Sequence, residues 1–157
     1  MAKLEPTPLI DLLQTQRTMI LATADPQPWS APVYYVYVQR RFYFFSSPTS
    51  RHITAARSPH RCAASLFRDS DNWRDIEGLQ MDGDVQRIPV GVEALAAFRA
   101  YVKKFPTVRE FFVDTAFDFA PFVERFRTQL YAFVPQQAFY LNNRAGLSKR
   151  QKIVLPA

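Results

Sequence analysis

TMILATADPQPWSAPVYYVYVQRRFYFF, from Thr18 to Phe45, reads as three β-strands and two breaks. Thr18–Ala24 is a compact apolar run. Asp25-Pro26-Gln27-Pro28 ends it, because proline fixes φ and has no N–H to give a ladder. Trp29–Val38 is a second strand, rich in the aromatic and β-branched side chains that suit a pleated surface. Gln39-Arg40 turns the chain, and Arg41–Phe45 is the third. Runs this short with connections this tight predict an antiparallel meander.

Outward from the meander the pattern changes. On its N-terminal side, PTPLIDLLQTQ (Pro6–Gln16) sets Leu9, Ile10, Leu12 and Leu13 near one face of a short helix that starts near Thr7, with Pro8 at the first helical position. On its C-terminal side a short helix runs through Arg51–Ala56 and stops at Ser58-Pro59. A fourth strand covers Arg61–Phe67, a polar loop Arg68–Asp75, and a fifth strand Gly78–Ile88, where Leu79, Met81 and Val85 alternate with Gln80, Asp82, Asp84 and Gln86. Val92–Lys104 has the apolar spacing of an amphipathic helix, ended by Phe105-Pro106. Thr107-Val108-Arg109-Glu110 has the spacing of a capping box and predicts another short helix. The last main strand is expected over Glu124–Val134, and a terminal strand at Lys152–Leu155. Helices and strands do not alternate as in a doubly wound sheet. The order predicts a mainly β, α+β domain: a small Greek-key barrel with helices packed outside it.

Composition fits one globular domain over residues 1–157, with 48% hydrophobic, 22% charged and 15% aromatic residues. The formal net charge is +6, but the excess is scattered, and its densest cluster is only Lys149, Arg150 and Lys152. A nucleic-acid reader shows a longer basic stripe with interleaved aromatics, so no nucleic-acid partner is expected. The single cysteine, Cys62, forms no intrachain disulfide and sits in a strand-like run as a small core residue. No apolar stretch approaches the ~18 residues that span a bilayer. A cytoplasmic protein without a membrane partner is the expectation.

Chemistry concentrates at Phe45-Ser46-Ser47-Pro48-Thr49-Ser50-Arg51-His52, where a strand ends, hydroxyls crowd together and a helix begins with a cation. Unpaired N–H groups at a helix start, hydroxyl donors and a two-point guanidinium suit a phosphate monoester. The same residues also suit an ordinary serine cap beside a solvated arginine. Elsewhere the signals are thin. Two histidines and one cysteine give no zinc spacing, and 4 glycines give neither a dinucleotide fingerprint nor a P-loop. No metal and no protein nucleophile are expected. Asp69, Asp71, Asp75 and Glu77 read as a solvated turn. Trp29, Tyr34, Tyr35 and Tyr37 could stack on a flat ring or fill the core. Gln80, with donor and acceptor on one side chain, suits a heterocycle edge if it faces a ligand.

Met19–Thr23, Pro28–Tyr35, Phe42–Ser47, Ser50-Arg51-His52 and Gly78–Gly83 together resemble the pyridoxamine 5'-phosphate oxidase-like FMN-binding split barrels. Tyr101–Pro106, Asn142-Asn143 and Lys149 resemble a small bacterial branch of that family. The resemblance implies a six-stranded antiparallel split barrel, paired in a homodimer with flavin at the interface. It implies that Ser50, Arg51 and His52 hold the FMN phosphate, that Phe45, Ser46 and Ser47 touch the cofactor, and that Val33 and Tyr34 pass along the ring. Gln80 would meet the ring's polar edge, and Lys149 of a partner subunit would complete the phosphate site. Two cations of the true oxidase are replaced here by Ala31 and Val36, and a lysine by His52. The expected function is therefore FMN-dependent oxidation or reduction of a small molecule other than pyridoxamine 5'-phosphate. The alternative is a non-catalytic module binding or storing flavin, deazaflavin or haem.

Overall fold

A computed structural model of the chain describes residues 7–112 and 117–157. The meander forms as read: β1 (Thr18–Ala24), β2 (Pro28–Val38) and β3 (Arg41–Ser46) are antiparallel neighbours, in register from Thr18↔Tyr34 to Ala24↔Pro28 and from Tyr35↔Phe44 to Val38↔Arg41. Gln39 and Arg40 both take left-handed φ values, 48° and 65°. A two-residue hairpin loop needs that backbone to match the twist of its strands.

The remaining elements are α1 (Pro8–Thr15), α2 (Arg51–Ala55), β4 (Cys62–Arg68), β5 (Glu77–Arg87), α3 (Val92–Lys104), α4 (Phe119–Arg125), β6 (Gln129–Asn142) and β7 (Arg150–Ile153), with 3-10 turns at Trp73–Asp75 and Pro106–Phe112. Strands run in the order β3-β2-β1-β4-β5-β6, and β3 pairs with β6 to close a six-stranded antiparallel barrel. β5 lies along nearly the whole of β6. The other edge of β6 is shared: residues 129–133 pair with β3, and residues 138–141 pair with β7.

Alternation along the strands builds two cores. Met19, Leu21, Val33, Tyr35, Phe42, Phe44, Leu79 and Phe133 point inward and fill the barrel. Their sequence neighbours Val36, Tyr43, Leu130 and Ala132 point outward and are buried under α3 and α4 by Ala97, Phe98, Phe119 and Phe122. Fully burying one such aromatic contributes about 1.5–3 kcal/mol. α1 closes one end of the barrel: the Tyr35 hydroxyl donates to Leu13 O at 2.9 Å, and Lys104 Nζ donates to Gln16 O at 2.6 Å while lying 3.9 Å from the Tyr35 ring. No helix among the described residues is long and apolar enough to cross a membrane.

Four expectations need correction. Residues 124–128 are not strand. Phe119, Phe122 and Phe126 recur with helical spacing, Asp118 accepts from the Phe119 N–H, and α4 is the result. The alternation of Phe126, Leu130 and Ala132 hid that period. β6 instead continues through Pro135 to Asn142, since the missing proline N–H falls at a register shift between Asp82 and Gly83. β7 begins two residues earlier than predicted. Asp69 and Asp71 are exposed as expected, but Asp75 and Glu77 are not solvated turn residues. Asp75 pairs with Arg144 at 2.7 Å, and Glu77 is buried, accepting from Arg68 Nε at 3.0 Å and from the Tyr140 hydroxyl. The predicted helix after Thr107 is a 3-10 turn beginning at Pro106.

At Gly83 the β6 backbone leaves no room for a side chain. A Cβ there would stand 2.3 Å from Val134 O and 3.0 Å from the Pro135 Cα. Both are backbone-borne and cannot swing aside. Gly83→Ala is therefore expected to cost roughly 1–3 kcal/mol of stability, read as a lower urea midpoint. An unchanged midpoint would mean that the bulge is soft.

Candidate functional site

The end of β3 and the start of α2 gather a polar cluster. Ser46 Oγ lies 2.7 Å from His52 Nε2 and 3.2 Å from Ser50 Oγ, and Ser50 Oγ lies 3.3 Å from the same ring nitrogen. Ser50 donates to Ser47 O at 2.9 Å, and Ser47 Oγ accepts from the Thr49 N–H at 3.3 Å. These bonds hold the loop without capping α2: the Ser50 side chain makes no cap bond to the helix. With five residues, α2 sums little dipole, so its contribution is free N–H groups at its first turn.

Arg51 is the cation of this cluster. Its guanidinium carbon sits 4.0 Å from the centre of the Trp29 ring. Stacking uses the face of the guanidinium and leaves its N–H edge for an anion. Among the described residues Arg51 is in no ion pair. Trp29, half-exposed at the start of β2, is thus part of the site as a platform. The sequence showed it only as one of four aromatics, with nothing to single it out. His52 is different. Burial holds its imidazole below the ordinary 6.5, which favours the neutral ring, and the ring is hydrogen-bonded to Ser46.

The other candidate residues lie apart from this cluster. Val33 points into the barrel, so any contact it makes on the outer face is through its backbone. Phe45 packs under the helices, its ring 4.6 Å from Phe122 and 5.0 Å from Tyr101. Tyr34 stands on the outer face, 59% exposed, edge-on to Phe105. Gln80 faces outward too, accepting from Arg150 Nε at 3.2 Å. Lys149 is exposed in the turn between β6 and β7. Ser46 pairs with Gln129, whereas Gln80 pairs with Phe139. Ten residues of β6, roughly 30 Å of strand, separate those partners. One chain therefore presents two polar groups at different places: Ser46, Ser47, Ser50, Arg51 and His52 in one, Gln80 and Lys149 in the other.

Between them runs an uncovered sheet face. Pro32, Ile20, Ser65, Gln80 and Phe139 form one row of cross-strand neighbours. Ser30, Ala22, Ala63 and Asp82 form the next. Small and apolar side chains dominate its middle, and the exposed rings of Tyr34 and Phe67 flank it.

The His52 environment sets a pH dependence. A base whose folded pKa lies below its unfolded value binds fewer protons when folded, so stability falls as pH drops from about 6.5 through the folded pKa. His52→Gln is expected to flatten the fall in Tm between pH ~7.5 and ~5. Identical slopes for the two proteins would show that the imidazole titrates as it does in water.

The family model described as pyridoxamine 5'-phosphate oxidase matches residues 9–138. No curated protein matches. Solved structures share the fold at low identity. A FAD-binding protein from Mesorhizobium loti is 19% identical with a TM-score of 0.61, over 86% of this chain and 92% of that one. A haem-binding protein from Mycobacterium smegmatis is 16% identical with a TM-score of 0.67, over 96% of this chain and 59% of that one. The haem storage protein HutZ from Vibrio cholerae is 15% identical with a TM-score of 0.67, over 87% and 94%. With barrel, helical layer and site in place, and a match running from α1 into β6, the chain belongs to the pyridoxamine 5'-phosphate oxidase family.

Proposed function

We propose that this domain binds FMN and uses it to oxidise or reduce a small molecule in the cytoplasm. The observation that carries the reading is the position of the Ser46–His52 cluster: Arg51, in no ion pair among the described residues, stacks on Trp29, the residue next in β2 to the small-residue row Ser30, Ala22 and Ala63, with a run of hydroxyls beside it. The cluster suits the phosphate monoester, and the face suits a planar ring system. Bound flavin would supply the redox chemistry. The chain would supply donors: Arg51, Ser47 and Ser50 to the phosphate, Gln80 to the ring edge, and Tyr34 as a wall beside the ring.

The same geometry supports a homodimer as part of this reading. Gln80 and Lys149 stand too far from Arg51 along β6 to serve one ligand with it in a single chain. A second copy packed on the uncovered face would bring its own Gln80 and Lys149 toward the cluster. Ala22, Ala63 and Ser65 leave room for that approach.

Oxidation of pyridoxamine 5'-phosphate itself is not part of the proposal. Ala31 faces the barrel interior and Val36 lies under α3, 9% and 7% exposed. Neither position can present a phosphate-binding cation without rebuilding its core. A non-catalytic haem or flavin module is the second reading, favoured by the haem-binding and haem-storage proteins among the structures of this fold.

The absorption spectrum of the purified protein, with mass spectrometry of the heat-released ligand, separates these readings. Flavin bands and about one FMN per subunit are expected. A Soret band with no flavin would replace the first reading by the second. In flavin titrations, Arg51→Ala is expected to weaken FMN by about tenfold or more, the scale of a charge-assisted hydrogen bond. Wild-type affinity in that variant would move the phosphate elsewhere. On the sheet face, Ser65→Glu is expected to give monomers by light scattering and to lose flavin in the same step. A monomer that keeps its flavin would contradict the shared site.

A further inference from the structure

α2 and the turn that ends it have two faces, and only one belongs to the cluster above. Arg51 and His52 turn toward Trp29 and Ser46. Ile53 and Arg57, four residues apart, turn the other way, over the ends of β5 and β6. There they line a cavity of ≈ 260 Å³ together with Val85, Arg87, Gln129 and Tyr131. Every polar group on this wall can donate. Arg57 and Arg87 are both exposed, and among the described residues neither is paired with a carboxylate. Among the described residues, no acidic side chain lines the cavity. The Tyr131 hydroxyl donates to Gln129 Oε1 at 3.3 Å, which leaves the Gln129 amide N–H groups for a ligand.

The electrostatics agree with the geometry. Burial raises the Tyr131 pKa, and the charges of Arg87 and Arg57 pull it back down. Both guanidiniums line the same small cavity as that hydroxyl. Two like charges around so small a space repel each other unless an anion lies between them. A carboxylate would neutralise one. A phosphate monoester, near −2 at neutral pH, matches both. Ile53 and Val85 add an apolar wall against which a short stem can rest. The volume falls just below the usual range for ligand pockets, about 300–1,000 Å³, so the ligand is small.

We propose that the cavity formed by Arg57, Arg87, Gln129 and Tyr131 is a second anion site, which takes the phosphate of a small phosphomonoester. It does not rest on the flavin reading. Ser46 is the cross-strand partner of Gln129, so the two sites would flank α2 and be held by the same strand ends.

Calorimetric titration of the protein as purified, with any bound cofactor retained, tests this. Inorganic phosphate and phenyl phosphate are the probes, and chloride is the control for general ionic strength. Saturable binding of about one equivalent per subunit is expected, tighter for phenyl phosphate. Arg57→Gln and Arg87→Gln should each weaken it by about tenfold, with flavin content and Tm unchanged. Both arginines are exposed, so each single variant is expected to fold. Binding that survives in both variants overturns the proposal, as does the absence of saturable binding by wild type. Loss of flavin from either variant would also overturn it, because the cavity would then belong to the cofactor's own phosphate. Arg51→Ala, which tests the flavin site, should leave phenyl phosphate binding intact.

Discussion

One strand has to serve three neighbours. β6 carries β5 along one edge and divides the other between β3 and β7. A straight strand cannot do this, because the barrel must curl through β3 while β7 continues beyond it. The register shift at Asp82/Gly83 supplies the bend, and Pro135 sits opposite Gly83, where a ladder N–H is not needed. Barrel closure, the end of β3, and with it the placing of Ser46 next to α2, all follow from that local irregularity.

Closure then decides what is covered. The inner core takes one side chain of every pair along the strands, and α3 with α4 covers the outer face of β3, the C-terminal half of β2 and the N-terminal half of β6. Among the described residues, no helix covers the outer face of β1, β4 and the first half of β5. Small residues line it, with Trp29, on which Arg51 stacks, next in sequence to one row and Gln80 in the other. The fold thus sorts its surface into an aromatic, helix-covered part and a bare part. The candidate chemistry lies along the seam.

Much of the fold was legible because strand alternation and turn residues are local signals. Gln39-Arg40, the run from Arg41 to Phe45 and the helix at Val92–Lys104 depend on neighbours in sequence, and they came out in place. The failures share a cause. Phe126 continues the helical series of Phe119 and Phe122 and also precedes the alternating run that begins at Leu130, so only the packing of those rings against Phe98 and Phe112 chooses. Glu77 looked solvated because Arg68, nine residues away, and Tyr140, far along the chain, are invisible as its partners until the strands pair. In the site, hydroxyls and arginine were legible as a run of donors. Trp29 was not, since nothing in its own neighbourhood says that Arg51 will lie on it. That stacking also restricts Arg51 before any ligand arrives, so less rotamer freedom remains to be lost on binding.

β3 belongs to both cores at once. Phe42 and Phe44 fill the barrel, and Tyr43 between them is sealed beneath the helices, its hydroxyl donating to Glu93 at 2.8 Å. Loosening the helical layer alone leaves β3 anchored by the barrel. The barrel can open at any of its six seams, but β3 is held along both edges, by β2 and by β6. Its backbone amides are therefore expected among the slowest to exchange, while α2 and the loop at its start, held by a few exposed bonds, exchange through small local openings. The loop is free to adjust because the strand that ends in it is not.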